Sequence, residues 1–388
     1  MRIAFLTSAF SYGGAQMSTV ELAERLSRIH NVKFFDTYGS SEPFMEALSE
    51  KNIDYSILSK SSSTFIVSKY KNRLFNIFRY FLFFFKWYQI RLNTREKLVQ
   101  FNPDIVIVYD DRCLSYLINY KNKRFKTLFY ARGWYTPEQI PLITKILLKK
   151  YSDVLICISE ATKHALYCNG IAPLDKLFVV HNSININKLL SNLKPIENFK
   201  STFNIIHSGG FLPSKGQLVS LEAAKIMREK NINFHLYLCG IIYPGIGDKS
   251  RKYFEKLKDY VKVNNLSNFV SFVEGESNII SYILNSDIMF FPSSTEGLPR
   301  SVIEAMALGK PVVANAVGGV TDLILDRFTG FITRHNEPLD YANFAQLLFS
   351  DEDLYQKISM NAKNLILTAY NEDLQIVKMN KIFENIMR

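Results

Sequence analysis

Two glutamates, Glu296 and Glu304, stand eight residues apart in the segment Ser293-Ser294-Thr295-Glu296-Gly297-Leu298-Pro299-Arg300-Ser301-Val302-Ile303-Glu304-Ala305-Met306. The apolar run before it, residues 287–291, reads as a short buried strand, and residues 301–308 read as a helix closed by Gly309. One carboxylate therefore sits in a Gly/Pro loop and the other on the helix that follows. A helix N-terminus offers unpaired N–H groups and the positive end of a dipole, which suit phosphate. Carboxylates beside such a site would repel phosphate; they suit the neutral hydroxyls of a sugar. Together the two halves of the segment describe a nucleotide sugar as ligand.

The elements that must hold this segment follow from the rest of the chain. At 388 residues the length predicts two or three domains with a sizeable core. Short β-rich runs alternate with helical stretches, which predicts an α/β fold with parallel sheets. Strands are expected at 2–7, 32–36, 53–58, 104–109, 125–130, 153–158 and 177–181. A second series is expected at 203–208, 232–239, 268–273, 287–291 and 311–315, with a last helix over 373–387. The stretch 191–202, with Pro195 and few apolar residues, reads as a linker. The division is then a 1–190 N-terminal domain, the linker, a 203–370 nucleotide-sugar-binding domain, and a 371–388 segment packing back toward the first. Both domains are expected to be doubly wound and Rossmann-like, facing each other across a cleft, with ligands at the carboxyl ends of strands.

Composition excludes several classes. Cys113, Cys157, Cys168 and Cys239 are scattered without a C-x-x-C pair, and the six histidines lack metal-ligand spacing, so no metal site is expected. The N-terminus reads as a strand rather than a signal peptide, which points to the cytoplasm. Net charge is +11, and residues 1–190 carry 26 Lys/Arg against 15 Asp/Glu while 191–388 carry 21 against 21. The one-sided excess favours an anionic partner; without a recognition motif, nucleic acid is not expected. Residues 64–97 are dense in aromatics, and the run 81–85 is far short of the ~20 residues needed to cross a bilayer. Two readings stand: a helix buried in the domain, or an in-plane helix touching anionic membrane through Arg79, Phe81, Phe84, Lys86 and Trp87.

The glutamate segment resembles the E-x7-E signature of glycosyltransferase family 4, the retaining enzymes of the GT-B fold. Three further stretches carry the resemblance. Ser208-Gly209-Gly210-Phe211-Leu212-Pro213-Ser214-Lys215-Gly216 resembles the loop that grips the donor diphosphate, although Gly210 stands where the family usually has arginine. Val317-Gly318-Gly319-Val320-Thr321-Asp322 resembles the family's Gly-Gly turn, and Gly13-Gly14-Ala15 its N-terminal loop. Matches over nearly the full chain, dense only between 204 and 335, imply a role for each. Glu296 would hydrogen-bond the transferred sugar and Glu304 the ribose. Gly13, Gly14, Gly209, Lys215, Gly297, Leu298, Arg300, Gly318 and Gly319 would line the donor. Many members carry a histidine after the strand at 125–130; Arg132 there would be a fixed cation at the reacting centre, or a member of a structural ion pair. Asp110 and Asp111 are candidate partners of an acceptor hydroxyl.

The resemblance implies a metal-independent, retaining hexosyltransferase without cofactor. It would use a UDP- or GDP-linked sugar and a glycan or lipid-linked acceptor, in cell-surface polysaccharide assembly; the 64–97 segment and the basic first half point to the inner membrane face as its place. Two alternatives are a nucleotide-sugar epimerase on the same fold and a non-catalytic glycosyltransferase-like partner subunit.

Overall fold

Short runs of Ile, Val, Phe and Leu too apolar to alternate are the mark of strands covered on both faces, and among the described residues the strands of both sheets pair in parallel. The computed structural model describes residues 1–59, 73–120, 123–191, 193–196, 199–243, 248–275 and 279–388, and for 73–81 the backbone alone. The first sheet is built from β1 (Arg2–Thr7), β2 (Asn31–Asp36), β3 (Asp54–Ile57), β4 (Ile105–Val108), β5 (Lys126–Ala131), β6 (Val154–Cys157) and β7 (Leu177–Val179). Its order is β3-β2-β1-β4-β5-β6-β7. The second sheet holds β8 (Phe203–Ser208), β9 (Phe234–Gly240), β10 (Val270–Glu274), β11 (Ile288–Phe291), β12 (Val312–Asn315) and β13 (Phe331–Thr333). Its order is β10-β9-β8-β11-β12-β13. Every residue of the central strands β4 and β11 is buried.

Two compact units result. Met1–Val180 with Ile376–Arg388 form one, and His181–Gln375 the other. Within the first unit the C-terminal tail is held by a 3.0 Å hydrogen bond between the His30 ring and Asn380 and by the edge of Phe383 against His30. The stretch 191–202 carries little regular structure, and its residues 192, 197 and 198 lie outside the described residues. In each sheet the strand order reverses once, between β1 and β4 and between β8 and β11. Crevices for ligands open at the carboxyl ends of strands at such reversals.

β13 is not among the expected strands. Its three residues are too few to show a period, and it forms because Val313, Ala314 and Asn315 offer it a parallel edge.

The aromatic segment forms the helix Arg73–Phe101. Residues 64–72 and the side chains of Arg79 and Phe81 lie outside the described residues. From residue 82 onward the helix is not enclosed. Ile90, Thr94 and Leu98, one turn apart, are buried against the sheet. Phe84 is 60% exposed and Phe85 54%, with Leu82, Tyr88 and Leu92 exposed beside them. Lys86 and Trp87 do not share that outer face. Trp87 Nε1 donates to Ser115 Oγ at 2.7 Å and its ring packs on the core. The Lys86 ammonium lies 5.4 Å from the Tyr38 ring centroid, where burial pulls its pKa down. No helix among the described residues is long and apolar enough to cross a membrane.

Candidate active site

In the second unit, three loops leave the carboxyl ends of β8, β11 and β12, the strands beside the order reversal. They are stitched to one another. Ser294 N donates to Ser214 O at 2.8 Å, joining the loop after β11 to the loop after β8. Gly319 N donates to Gly297 O at 2.9 Å, joining the loop after β12 to the loop after β11. Asn315 Nδ2 and Asn336 Nδ2 brace the carbonyls of Ser293 and Pro292 at 2.9 and 3.0 Å. The loops are thus one rigid platform. Gly216 is its tightest point: φ is +76°, and a Cβ there would stand 2.2 Å from Pro292 O.

On this platform the sequence-predicted residues come together. Lys215 Nζ lies 2.6 Å from Glu296 Oε1, a pair drawn from residues 81 apart in the chain. Arg300 Nε lies 2.7 Å from Glu304 Oε1, one helical turn away, and Glu304 is only 8% exposed. The helix Arg300–Ala307 begins where Leu298, buried by its side chain, anchors the loop. The N–H groups of Gly297 and Leu298 donate to no group among the described residues. Cation, two amides and two carboxylates therefore converge, a set that binds anionic oxygen and hydroxyls together. Gly318, at φ +48°, makes the turn that brings Gly319 to Gly297. Beneath the platform His207 is buried, which pushes its pKa down to about 3 with help from Lys215; the neutral ring meets Ser220 Oγ at 2.9 Å. His235 is interior too, 2.9 Å from Ser271 Oγ, its pKa lowered to about 4 by burial.

In the first unit, Gly13 caps the helix Gly14–Ser27, and its N–H donates to Gln16 Oε1 at 3.2 Å. Arg132 reaches this same turn. Its guanidinium donates to Ala15 O and, at 2.6 Å, to Thr19 Oγ1, and it lies 4.2 Å from the Tyr109 ring centroid. These contacts fasten the loop after β5 to the Gly13-Gly14 turn, and no acidic partner takes part in them.

Asp110 and Asp111 follow β4 and line a cavity of about 250 Å³ with Tyr109, Tyr135, Gln139 and Thr144. Asp110 Oδ1 accepts from Cys113 N at 2.8 Å, capping the short helix Asp111–Ser115. Asp111 Oδ2 accepts from Thr144 Oγ1. Burial raises the Asp110 carboxyl to about 6, against the Cys113 N–H that lowers it. Its folded pKa is thus above the unfolded value, so its contribution to stability is full below about pH 4 and is lost as pH rises through about 6. Asp110→Asn keeps a capping acceptor and removes the buried charge. The variant is expected to gain on the order of 1–3 kcal/mol of stability at pH 8 and nothing at pH 4, read by denaturant unfolding at both pH values. An equal change at both would show that the charge is not the cause.

Gln217, Asn315 and Asn336 were not singled out by sequence reasoning. Their signal is weak: they are amides at a helix start, a strand end and a loop, distinguished only by the carbonyls they find in the fold.

Residues 191–365 match the family described as glycosyl transferases group 1, and residues 12–188 match Glycosyltransferase Family 4. Among curated relatives, an uncharacterized glycosyltransferase of Methanocaldococcus jannaschii is 26% identical over 61% of this chain and 60% of its own. The UDP-Gal:alpha-D-GlcNAc-diphosphoundecaprenol alpha-1,3-galactosyltransferase of Escherichia coli is 24% identical over 68% of this chain and 66% of its own. These matches span about two thirds or less of each relative. Among solved structures, Anabaena HepE in complex with UDP superposes with a TM-score of 0.79 at 18% identity, covering 100% of this chain and 99% of that one. That likeness is of fold, and the fold is GT-B. The two family matches leave little of the chain outside them, and the chain belongs to glycosyltransferase family 4.

Proposed function

We propose that the chain is a retaining glycosyltransferase that moves a hexosyl group from a UDP-linked donor to a hydroxyl of a lipid-linked glycan, in assembly of a cell-surface polysaccharide. The observation that carries the reading is the platform of the second unit, where Lys215, the Gly297 and Leu298 amides, Glu296 and Glu304 converge. The amides and lysine suit the diphosphate, and the carboxylates suit the sugar and the ribose. UDP is favoured over GDP because HepE was solved with UDP and with UDP-glucose, and the E. coli relative is named for UDP-Gal. The lipid-linked acceptor is favoured by the same relative's name.

In this reading the departing diphosphate gathers charge as the glycosidic bond breaks, and Lys215 with the two amides meets that charge. A bound divalent metal would do the same work, so these groups support a metal-independent reaction. The acceptor's saccharide would enter the cavity of Asp110 and Asp111, where carboxylates and the Gln139 amide bind hydroxyls beside the Tyr109 and Tyr135 rings. Asp110 as hydroxyl acceptor requires its charged form. The non-catalytic and epimerase alternatives gain no observation of their own.

The test is a transfer assay with UDP-galactose, UDP-glucose and UDP-N-acetylglucosamine against polyprenyl-diphosphate-linked N-acetylglucosamine. A disaccharide product that keeps the donor's anomeric configuration supports the reading. An inverted product, or epimerised free sugar, contradicts it.

The inner membrane face is proposed as the site of action, reached through the outer face of the helix Arg73–Phe101. Support comes from exposed Leu82, Phe84, Phe85, Tyr88 and Leu92 and the basic excess of residues 1–190. Serine at Phe84, Phe85 and Leu92 together is expected to reduce sedimentation with phosphatidylglycerol vesicles by about tenfold or more while leaving the melting temperature near wild type. Undiminished sedimentation would remove this face from the interaction.

A further inference from the structure

Gly210 has no room for a side chain, and what fills the room is a phenol. A Cβ built there would lie 2.3 Å from Cε2 of Tyr243 and 2.8 Å from its hydroxyl oxygen. The arrangement is fastened from both sides. Phe211 N donates to Ile241 O at 2.9 Å, and Tyr243 N donates to Ser250 Oγ at 3.1 Å. The Ser250 hydroxyl, fully buried, donates in turn to Phe211 O at 2.8 Å. Gln217 Nε2 takes up the carbonyls of Gly209 and Gly210 at 3.2 and 2.9 Å, so the loop's acceptors are already engaged by protein. Its donors divide differently. Gly209 N and Phe211 N are bonded to Cys239 O and Ile241 O, whereas Gly210 N between them donates to no group among the described residues. A Cβ on Gly209 would lie 3.7 Å from Lys215 Cγ, so the lysine stem runs along this same loop.

Lys215 and the Gly210 N–H lie on the loop after β8, and the Tyr243 hydroxyl reaches Gly210 from the loop after β9; a group of donors from two neighbouring loops suits a ligand with several anionic oxygens. We propose that the Tyr243 hydroxyl is a direct hydrogen-bond donor to the diphosphate of the nucleotide sugar, occupying the volume a side chain at 210 would take. The inference rests on the donor-site reading above and adds to it a neutral group that recognises phosphate. It also gives Gly210 a physical purpose, since any larger residue would displace the phenol.

The test is calorimetric titration of the full chain with UDP, GDP and uridine. Tyr243→Phe keeps the packing and removes the donor; UDP is expected to bind about tenfold or more weakly, with uridine unchanged. Gly210→Arg combined with Tyr243→Ala puts a cation into the vacated volume and is expected to bind UDP more tightly than Tyr243→Ala alone. Wild-type UDP affinity in Tyr243→Phe overturns the proposal, as does an equal loss for UDP and uridine, which would mark a role in base binding or folding. Binding of neither UDP nor GDP by the wild type overturns the donor reading itself, and this inference with it.

Discussion

Lys215→Ala is expected to weaken UDP binding by roughly ten- to a hundredfold, the scale of a lost charge-assisted hydrogen bond of ~1.5–3 kcal/mol. The structure sharpens the reason. In the free protein the Lys215 ammonium is held 2.6 Å from Glu296 Oε1, so it is already aimed at the platform and does not have to be ordered by the donor. Truncation has two consequences: the diphosphate loses its cation, and Glu296 is left as an unpaired, mostly buried carboxylate facing an incoming anion. Isothermal calorimetry of the variant against wild type reads the effect. Unchanged UDP affinity would remove Lys215 from the site. Glu296→Gln separates the two consequences, because it frees the lysine without removing it. It should retain UDP binding while losing transfer, since the carboxylate is assigned to the sugar rather than to the phosphates.

Gly216→Ala is expected to be the most damaging single change to the platform. The backbone at Gly216 is left-handed, with φ +76°, and a Cβ would press against Pro292 O at 2.2 Å. Left-handed backbone alone costs a non-glycine residue on the order of 1–3 kcal/mol, and the contact with a backbone carbonyl adds to it because neither loop can give freely. Relief would have to part the loop after β8 from the loop after β11, breaking the hydrogen bond from Ser294 N to Ser214 O. A fall in melting temperature of several degrees is expected, at about 2–4 °C per kcal/mol for a unit of this size. UDP binding should fall with it. A variant that melts and binds like wild type would show that the two loops are not coupled as described.

Much of the fold was legible in the residues because parallel strands covered on both faces announce themselves as apolar runs. The run Ile105–Val108 and the run Ile288–Phe291 are both found as central strands with every residue buried. β13 was not legible, since three residues carry no period and the strand exists through its pairing with β12. On the helix Arg73–Phe101 the sequence showed a dense set of aromatics but not which of them faced outward. Tertiary packing decided this, turning Asn93 inward to Leu58 O at 3.0 Å and leaving Phe84 and Phe85 outside.

The candidate site divides in the same way. Residue types and spacing singled out Glu296 and Glu304 as candidates, because a loop that opens a helix leaves a recognisable pattern of Gly, Pro and charge, and the family resemblance added Lys215. The pairing of Lys215 with Glu296 was not readable, since nothing in spacing links positions so far apart. Arg132 shows the limit most plainly. The resemblance left it as a cation at the reacting centre or a member of a structural ion pair; its guanidinium is engaged by Ala15 O and Thr19 Oγ1, neither of them acidic, and fastens the Gly13-Gly14 turn. Tyr243 lay outside every motif, and only the packing of its ring on Gly210 brings it into view.

Titration with UDP-glucose and UDP, wild type beside Glu304→Ala, asks whether the second unit carries a working nucleotide-sugar site. Saturable binding with one site per chain is expected, lost or weakened at least tenfold in Glu304→Ala while the fold is retained. Binding that is indifferent to Glu304→Ala, or absent in the wild type for every nucleotide tried, would contradict it.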